Sequence, residues 1–319
     1  MDGTRATEWL ERRQLVLYLA ALAVAVGAAI VVPEVAVLDA AVAPVLAVLL
    51  FVTFLQVPIT RFGAALRDWR MLAALLALNF GAVPFVAFGL SRLVADDRAL
   101  VFGVLLVLLA PCVDYVVAFT GLAGGSVDRL VAATPLLLVA QVLAVPPLLF
   151  AFTGTDIVRS IDPAAVAGVL VPVFLVPLAL AWGVLAATRA GAAVGVVART
   201  SALAMVPLVV LTLVVVVASG VATIGADAAI VVRAVPVFAA FAVVMVAVGL
   251  VWGRLGRFAT ADRRTLVMSG VTRNSLVVLP VAIALPEAFA VVPLVIVTQT
   301  LVEIVVLAVL VAVVPRIVR

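Results

Sequence analysis

The run Leu109-Ala110-Pro111-Cys112-Val113-Asp114 decides how this chain reads. It holds the one cysteine among 319 residues, a carboxylate two positions later, and a proline that removes a helix hydrogen bond. All three lie near the centre of an apolar stretch, 99–123, long enough to span a bilayer. A charge at that depth costs about 2.5 kcal/mol or more, so it faces a cavity or a partner. A helix interrupted there, beside a thiol and a carboxylate, is a candidate binding site.

Outward from this run the chain is apolar almost everywhere. Hydrophobic residues make up 68% of it and the mean hydropathy is +1.45, against roughly half apolar in soluble domains. A spanning helix needs about 20 apolar residues, and short polar turns mark off ten such stretches. They lie near 15–33, 40–59, 71–91, 99–123, 130–152, 163–187, 200–221, 231–252, 265–286 and 290–313. Valine is abundant, but runs this long without period-two alternation exclude a barrel. The expected class is an all-α polytopic membrane protein of ten transmembrane helices, with no sizeable soluble domain. Residues 1–14 carry both signs of charge and lead into a full span, which reads as a cytoplasmic segment rather than a cleaved signal.

The net charge of +4 comes from loop anchors, not from a nucleic-acid footprint. All 20 basic residues are arginine, and histidine is absent. With the N-terminus inside, 15 arginines fall in cytoplasmic segments. Four fall outside (Arg92, Arg98, Arg159 and Arg233), and Arg273 falls within a span. The positive-inside rule then puts both termini in the cytoplasm. One cysteine forms no intrachain disulfide, so redox compartment stays open. The arginine-, valine- and alanine-rich usage points to a bacterial inner (plasma) membrane.

Ten spans divide into two fives, and an odd half must insert upside down. Three features support an inverted repeat of 15–155 and 156–319. Pro135 and Gln141 in span five match Pro293 and Gln299 in span ten, each pair six apart. Pro44 and Pro207 open spans two and seven. Span four is interrupted by Pro111 with Gly121, Gly124 and Gly125, and span nine by Asn274-Ser275 and Pro280, so Pro111, Gly121 and Pro280 are the expected helix breaks. Broken helices at matching positions point to a midplane transport site, where freed backbone groups meet a ligand. The expected architecture is a panel of helices 1, 2, 6 and 7 and a core of helices 3–5 and 8–10, with broken helices four and nine crossing.

The polar residues at mid-depth are Asn79, Cys112, Asp114, Gln141, Arg273, Asn274, Ser275, Gln299 and Glu303. Asp114 and Arg273 have opposite sign and lie on the two broken helices, so they are the expected pair, either a structural salt bridge or part of coupling. Gln299 and Glu303 are four apart and share a helix face. Glu303 would share Arg273, bind a cation or carry a proton. Asn79, Gln141 and Gln299 also suit plain interhelical hydrogen bonds. Cys112 is either a small packing group or a soft ligand for a thiophilic species. One thiol without histidine does not make a zinc or iron site. Phosphate loops, zinc-binding histidine pairs and nucleophile elbows are absent, so no enzyme activity and no cofactor are expected. A membrane enzyme or a sensor is the different-class alternative.

Three stretches resemble a known group. They are Leu108-Leu109-Ala110-Pro111-Cys112-Val113-Asp114, Thr272-Arg273-Asn274-Ser275 with its continuation to Pro280, and Thr298-Gln299-Thr300-Leu301-Val302-Glu303. Together with the ten-span pattern they resemble the bile acid/arsenite/riboflavin transporter superfamily, in its bacterial arsenical-resistance branch. The resemblance covers nearly the whole chain. It implies the bile-acid-symporter-like fold and export of arsenite, and of antimonite, with Cys112 as the contact for the transported metalloid. The expected coupling ion is a proton, taken up and released by Glu303 or Asp114. The arsenite permeases carry Asn-Asn-Phe-Glu where this chain has Arg273-Asn274-Ser275-Leu276, so Glu303 or Asp114 would supply the carboxylate. The bile-acid branch carries sodium-liganding Glu and Gln where this chain has Ser269 and Arg273. Sodium-coupled organic-anion symport is therefore the runner-up, since a guanidinium there repels Na⁺.

Overall fold

The computed structural model describes residues 3–31, 38–56, 68–113, 115–154, 164, 167–168, 171–188, 192–223 and 228–319. Asp114 and the 155/156 boundary between the expected repeats lie outside them. Among the described residues the secondary structure is helical, in the order α1 (Gly3–Val31), α2 (Asp39–Gln56), α3 (Trp69–Ala77), a π-turn (Leu78–Ala82), α4 (Val83–Ser91), α5 (Arg98–Leu108), α6 (Val116–Leu122) and α7 (Val127–Thr153). A second π-turn (Val171–Leu175) leads into α8 (Val176–Ala187), followed by α9 (Ala192–Thr223), α10 (Ala228–Leu255), α11 (Thr260–Val271), α12 (Ser275–Ile283) and α13 (Val292–Ile317).

Among the described residues five segments are long and apolar enough to cross a membrane: Trp69–Val94, Val127–Thr153, Arg199–Ser219, Val232–Leu255 and Glu287–Ile317. Shorter apolar helices cover Val16–Ala29, Ala40–Gln56, Arg98–Leu108 and Val171–Ala187. The stretch 265–286 is divided between α11 and α12. Large apolar side chains such as Val139, Leu143, Val243, Val251, Val305 and Val309 face outward, the arrangement lipid favours and water does not. This is a multi-pass membrane protein.

The chain folds into two compact units. One comprises Met1–Val57, Asp162–Ala228 and Ile283–Leu285. Within it α9 packs against α1 and α2, and α2 against α8. Leu46, Leu49 and Leu50 form the buried stripe of α2, at the spacing that shares one helix face. Phe54 meets Phe174 edge to face at 5.2 Å, and Gln56 Nε2 donates to the Ser201 carbonyl at 3.2 Å.

The other unit comprises Pro58–Ile161, Ala229–Ala282 and Pro286–Arg319. Its axis is α5, buried continuously from Leu100 to Leu108 and packed on α13 and α7. A helix apolar on every side belongs in such a centre. Close packing elsewhere uses glycine: a Cβ on Gly249 would meet the Val267 Cα at 2.9 Å, so α10 and α11 touch nearly backbone to backbone.

Two interruptions organise this unit. Helix α5 stops at Leu108 and α6 begins at Val116; α11 stops at Val271 and α12 begins at Ser275. At the first, Pro111 has no N–H to continue the helix and its ring disfavours a helical conformation at Ala110. At the second no proline is involved. Thr272 is extended (φ −81°, ψ 132°), and Asn274 Oδ1 accepts the Val277 N–H at 3.3 Å, capping the next helix. Gly121 and Pro280, read from sequence as breaks, lie inside α6 and α12. Beyond α6 the chain turns at Gly124, with φ +67°. In α12, Pro280 removes a single ladder hydrogen bond, and the helix continues through it.

Candidate functional site

The two interruptions cross and pair. Pro111 and Arg273 form an antiparallel bridge, flanked by Cys112 N–H donating to the Thr272 carbonyl (3.3 Å) and Asn274 N–H donating to the Ala110 carbonyl (2.8 Å). This is a non-hydrogen-bonded pair: the bonds lie on either side, and the two central residues exchange none. Proline suits that position because it has no N–H to satisfy. Arg273 is the reverse case. Its own N–H and carbonyl point away from Pro111 and need partners elsewhere.

Both find them in side chains. The Arg273 N–H donates to Glu303 Oε2 at 2.8 Å, and the Arg273 carbonyl lies 3.2 Å from the Tyr115 hydroxyl. Tyr115 Oη donates to Glu303 Oε1 at 2.7 Å, and Gln299 Nε2 donates to Glu303 Oε2. Three donors from three chain segments thus converge on one carboxylate, which is 3% exposed. Charge-assisted hydrogen bonds of this kind are what make a buried carboxylate tolerable.

The Arg273 side chain is 0% exposed. Nη1 donates to the Leu108 carbonyl (3.2 Å), and Nη2 to the carbonyls of Ser269 (2.6 Å) and Gly270 (3.0 Å) and to Asn79 Oδ1 (2.8 Å). Its Cζ lies 5.6 Å from the centre of the Phe241 ring. Asn79 sits in the first π-turn, and its Nδ2 donates to the Leu75 carbonyl and to Ser269 Oγ, both at 3.0 Å. Those bonds fix which end of the amide faces the guanidinium.

Of the residues singled out in the sequence, Asn79, Arg273, Gln299 and Glu303 belong to one bonded cluster. Cys112, Asn274 and Ser275 lie buried at the crossing itself. Gln141 is buried in α7 and makes no hydrogen bond to the cluster among the described residues. Asp114 lies outside the described residues. The guanidinium is bonded to neutral oxygens, and Arg273 meets Glu303 through its backbone. Tyr115 was missed. The signal was available: it is one of two tyrosines in the chain and sits at mid-depth in an apolar span.

Among the described residues several buried polar atoms at the crossing have no hydrogen-bond partner, namely Arg273 Nε, Asn274 Nδ2, Ser275 Oγ and Gln299 Oε1. Such atoms are rare in folded proteins and mark places where a ligand or water bonds. A cavity of about 10 Å³, room for roughly one water, is lined by Gln299, Glu303, Leu108, Phe238, Phe241 and Val271 among others. The cavity offers the Gln299 amide and the Glu303 carboxylate to a small polar solute, while Cys112, Asn274 and Ser275 are buried at the crossing and are not among its lining residues.

No curated protein matches the chain. The family model described as the sodium bile acid symporter family matches residues 43–226, more than half of the sequence. Members of that family are membrane transporters, in keeping with the apolar helices and the paired interruptions. The chain belongs to the sodium bile acid symporter family.

Proposed function

We propose that this protein is a secondary active transporter that exports arsenite, and antimonite, across the plasma membrane in exchange for protons. The observation that carries the reading is the position of Cys112. It is 1% exposed, and its backbone bonds across the crossing of the two interrupted helices. A sulfur ligand there selects a thiophilic solute. Arsenite near neutral pH is mainly an uncharged trihydroxide. Asn274 Nδ2 and Ser275 Oγ suit its hydroxyls, and Glu303 is the proton carrier within reach of the same cluster. In this reading both termini are cytoplasmic and the ten spans form an inverted repeat. The unit that starts at Met1 is then the panel, and the unit with the crossing is the core.

The test is metalloid uptake into everted membrane vesicles by wild type and Cys112→Ser. Serine is close in volume and lacks a soft ligand, so transport should fall at least tenfold at unchanged expression. Undiminished transport would assign Cys112 to packing. Sodium-coupled symport of an organic anion is the second reading, favoured by the description of the family. Liposomes with an imposed pH gradient or an imposed sodium gradient separate the two.

A further inference from the structure

Each helix interruption leaves carbonyls without their usual donors. In an unbroken helix the Ser269, Gly270 and Leu108 carbonyls would accept from the N–H groups of Arg273, Asn274 and Cys112. Here those three N–H groups go to Glu303, Ala110 and Thr272 instead. The three orphaned carbonyls lie at the C-terminal ends of α11 and α5, where the helix dipoles place partial negative charge. All three accept from the Arg273 guanidinium, and Asn79 Oδ1 is the fourth oxygen.

Four neutral oxygens drawn from three chain segments, with no solvent exposure, describe a cation cage. Carbonyls at unwound helix ends are a common way for membrane transporters to hold a monovalent ion. An arginine that merely capped its own helix would bond Ser269 and Gly270 and stop there. This one also reaches α5 and the π-turn. Among the described residues its guanidinium pairs with no carboxylate. Glu303 is already engaged by the Arg273 backbone, Tyr115 and Gln299.

We propose that Arg273 is a tethered cation occupying a monovalent-cation cage formed by Leu108, Ser269, Gly270 and Asn79. The protein therefore needs no mobile ion at this position, and removing the guanidinium turns the cage into a site for one. The inference takes its meaning from the transporter reading but depends on no particular substrate.

The test uses purified full-length protein in detergent, without substrate. Thermal unfolding is followed in choline, sodium or potassium chloride at constant ionic strength, with and without low millimolar guanidinium. Wild type should melt at the same temperature in sodium and in choline. Arg273→Ala should melt lower in choline and regain about 5 °C with sodium or with guanidinium, as expected for an ion that binds the folded state. Stabilisation of wild type by sodium would overturn the proposal. So would an Arg273→Ala protein indifferent to every cation. Arg273→Lys keeps a tethered charge and should stay folded and insensitive to sodium. If the alanine variant is lost on extraction, survival of the lysine variant supports the cage, and loss of both overturns it.

Discussion

The backbone N–H of Arg273 donates to Glu303 Oε2 at 2.8 Å, joining an interrupted helix to α13 across 30 residues of sequence. The bond exists because Arg273 opposes Pro111 in a non-hydrogen-bonded pair, which turns its N–H away from the neighbouring segment. The carboxylate is thus the acceptor that lets the helix stay open. Glu303→Ala should remove the acceptor for three buried donors and destabilise the protein by about 3 kcal/mol. Glu303→Gln keeps the volume but sets an NH₂ group among donors, at about 2 kcal/mol. Both should reduce transport more than tenfold. Melting curves in detergent beside vesicle uptake measure the two effects. A glutamine variant with wild-type transport would remove Glu303 from the coupling step.

Tyr115→Phe separates the hydroxyl from the ring. The ring packs edge to face on Phe119 at 6.2 Å, which phenylalanine preserves. The lost donor leaves Glu303 Oε1 without its bond, at about 1–2 kcal/mol. The variant should therefore be more stable than Glu303→Ala and still transport more slowly than wild type. An unchanged melting temperature would show that the hydroxyl contributes nothing to the cluster.

Much of this cluster was legible in the sequence because polarity at mid-span is conspicuous. Asn79, Arg273, Gln299 and Glu303 stand out against apolar neighbours, and the four-residue spacing of Gln299 and Glu303 is that at which their side chains bond in α13. The proline at 111 announced an interruption, and the chain is non-helical there. What the sequence concealed was the set of oxygens around the guanidinium. Asp114, which opposite sign suggests as its partner, lies outside the described residues; the bonded oxygens among them are mostly backbone carbonyls, which every residue carries and no residue name reveals. They become acceptors only once the breaks divert three N–H groups. Gly121 and Pro280 misled for a related reason: a helix tolerates one lost bond, while an extended Thr272 followed by a capping Asn274 ends it without any breaker residue.

A second charged cluster tests how burial sets the worth of an ion pair. Asp262 is 4% exposed and accepts from Ser126 Oγ at 2.6 Å and Arg129 Nη1 at 2.5 Å. Arg129 also pairs through Nε with Asp68 at 2.9 Å, whose side chain is 35% exposed. Asp262→Ala should destabilise by about 1–2 kcal/mol, since it removes a buried acceptor, while Arg129, 47% exposed, and the partly buried Ser126 can turn to water. Asp68→Ala should lose under about 1 kcal/mol, and less at high salt. Equal losses in the two variants would show that burial of Asp262 does not govern its contribution.

The contact between α10 and α11 sets a steric limit on the same unit. A Cβ at Gly249 would lie 2.9 Å from the Val267 Cα and 3.3 Å from its nitrogen, and backbone atoms cannot rotate aside. Alanine favours a helix over glycine by about 1 kcal/mol, but the clash should outweigh this, leaving Gly249→Ala about 1–3 kcal/mol less stable. Gly89 in α4 is the control, because a Cβ there meets nothing within 4 Å and Gly89→Ala should gain stability. Displacing α11 also shifts Ser269 and Gly270, which hold the guanidinium, so Gly249→Ala should lose transport while Gly89→Ala keeps it. Paired melting and uptake measurements decide the matter. If Gly249→Ala melts with Gly89→Ala, the two helices can part without loss, and close packing at Val267 does not position the cage.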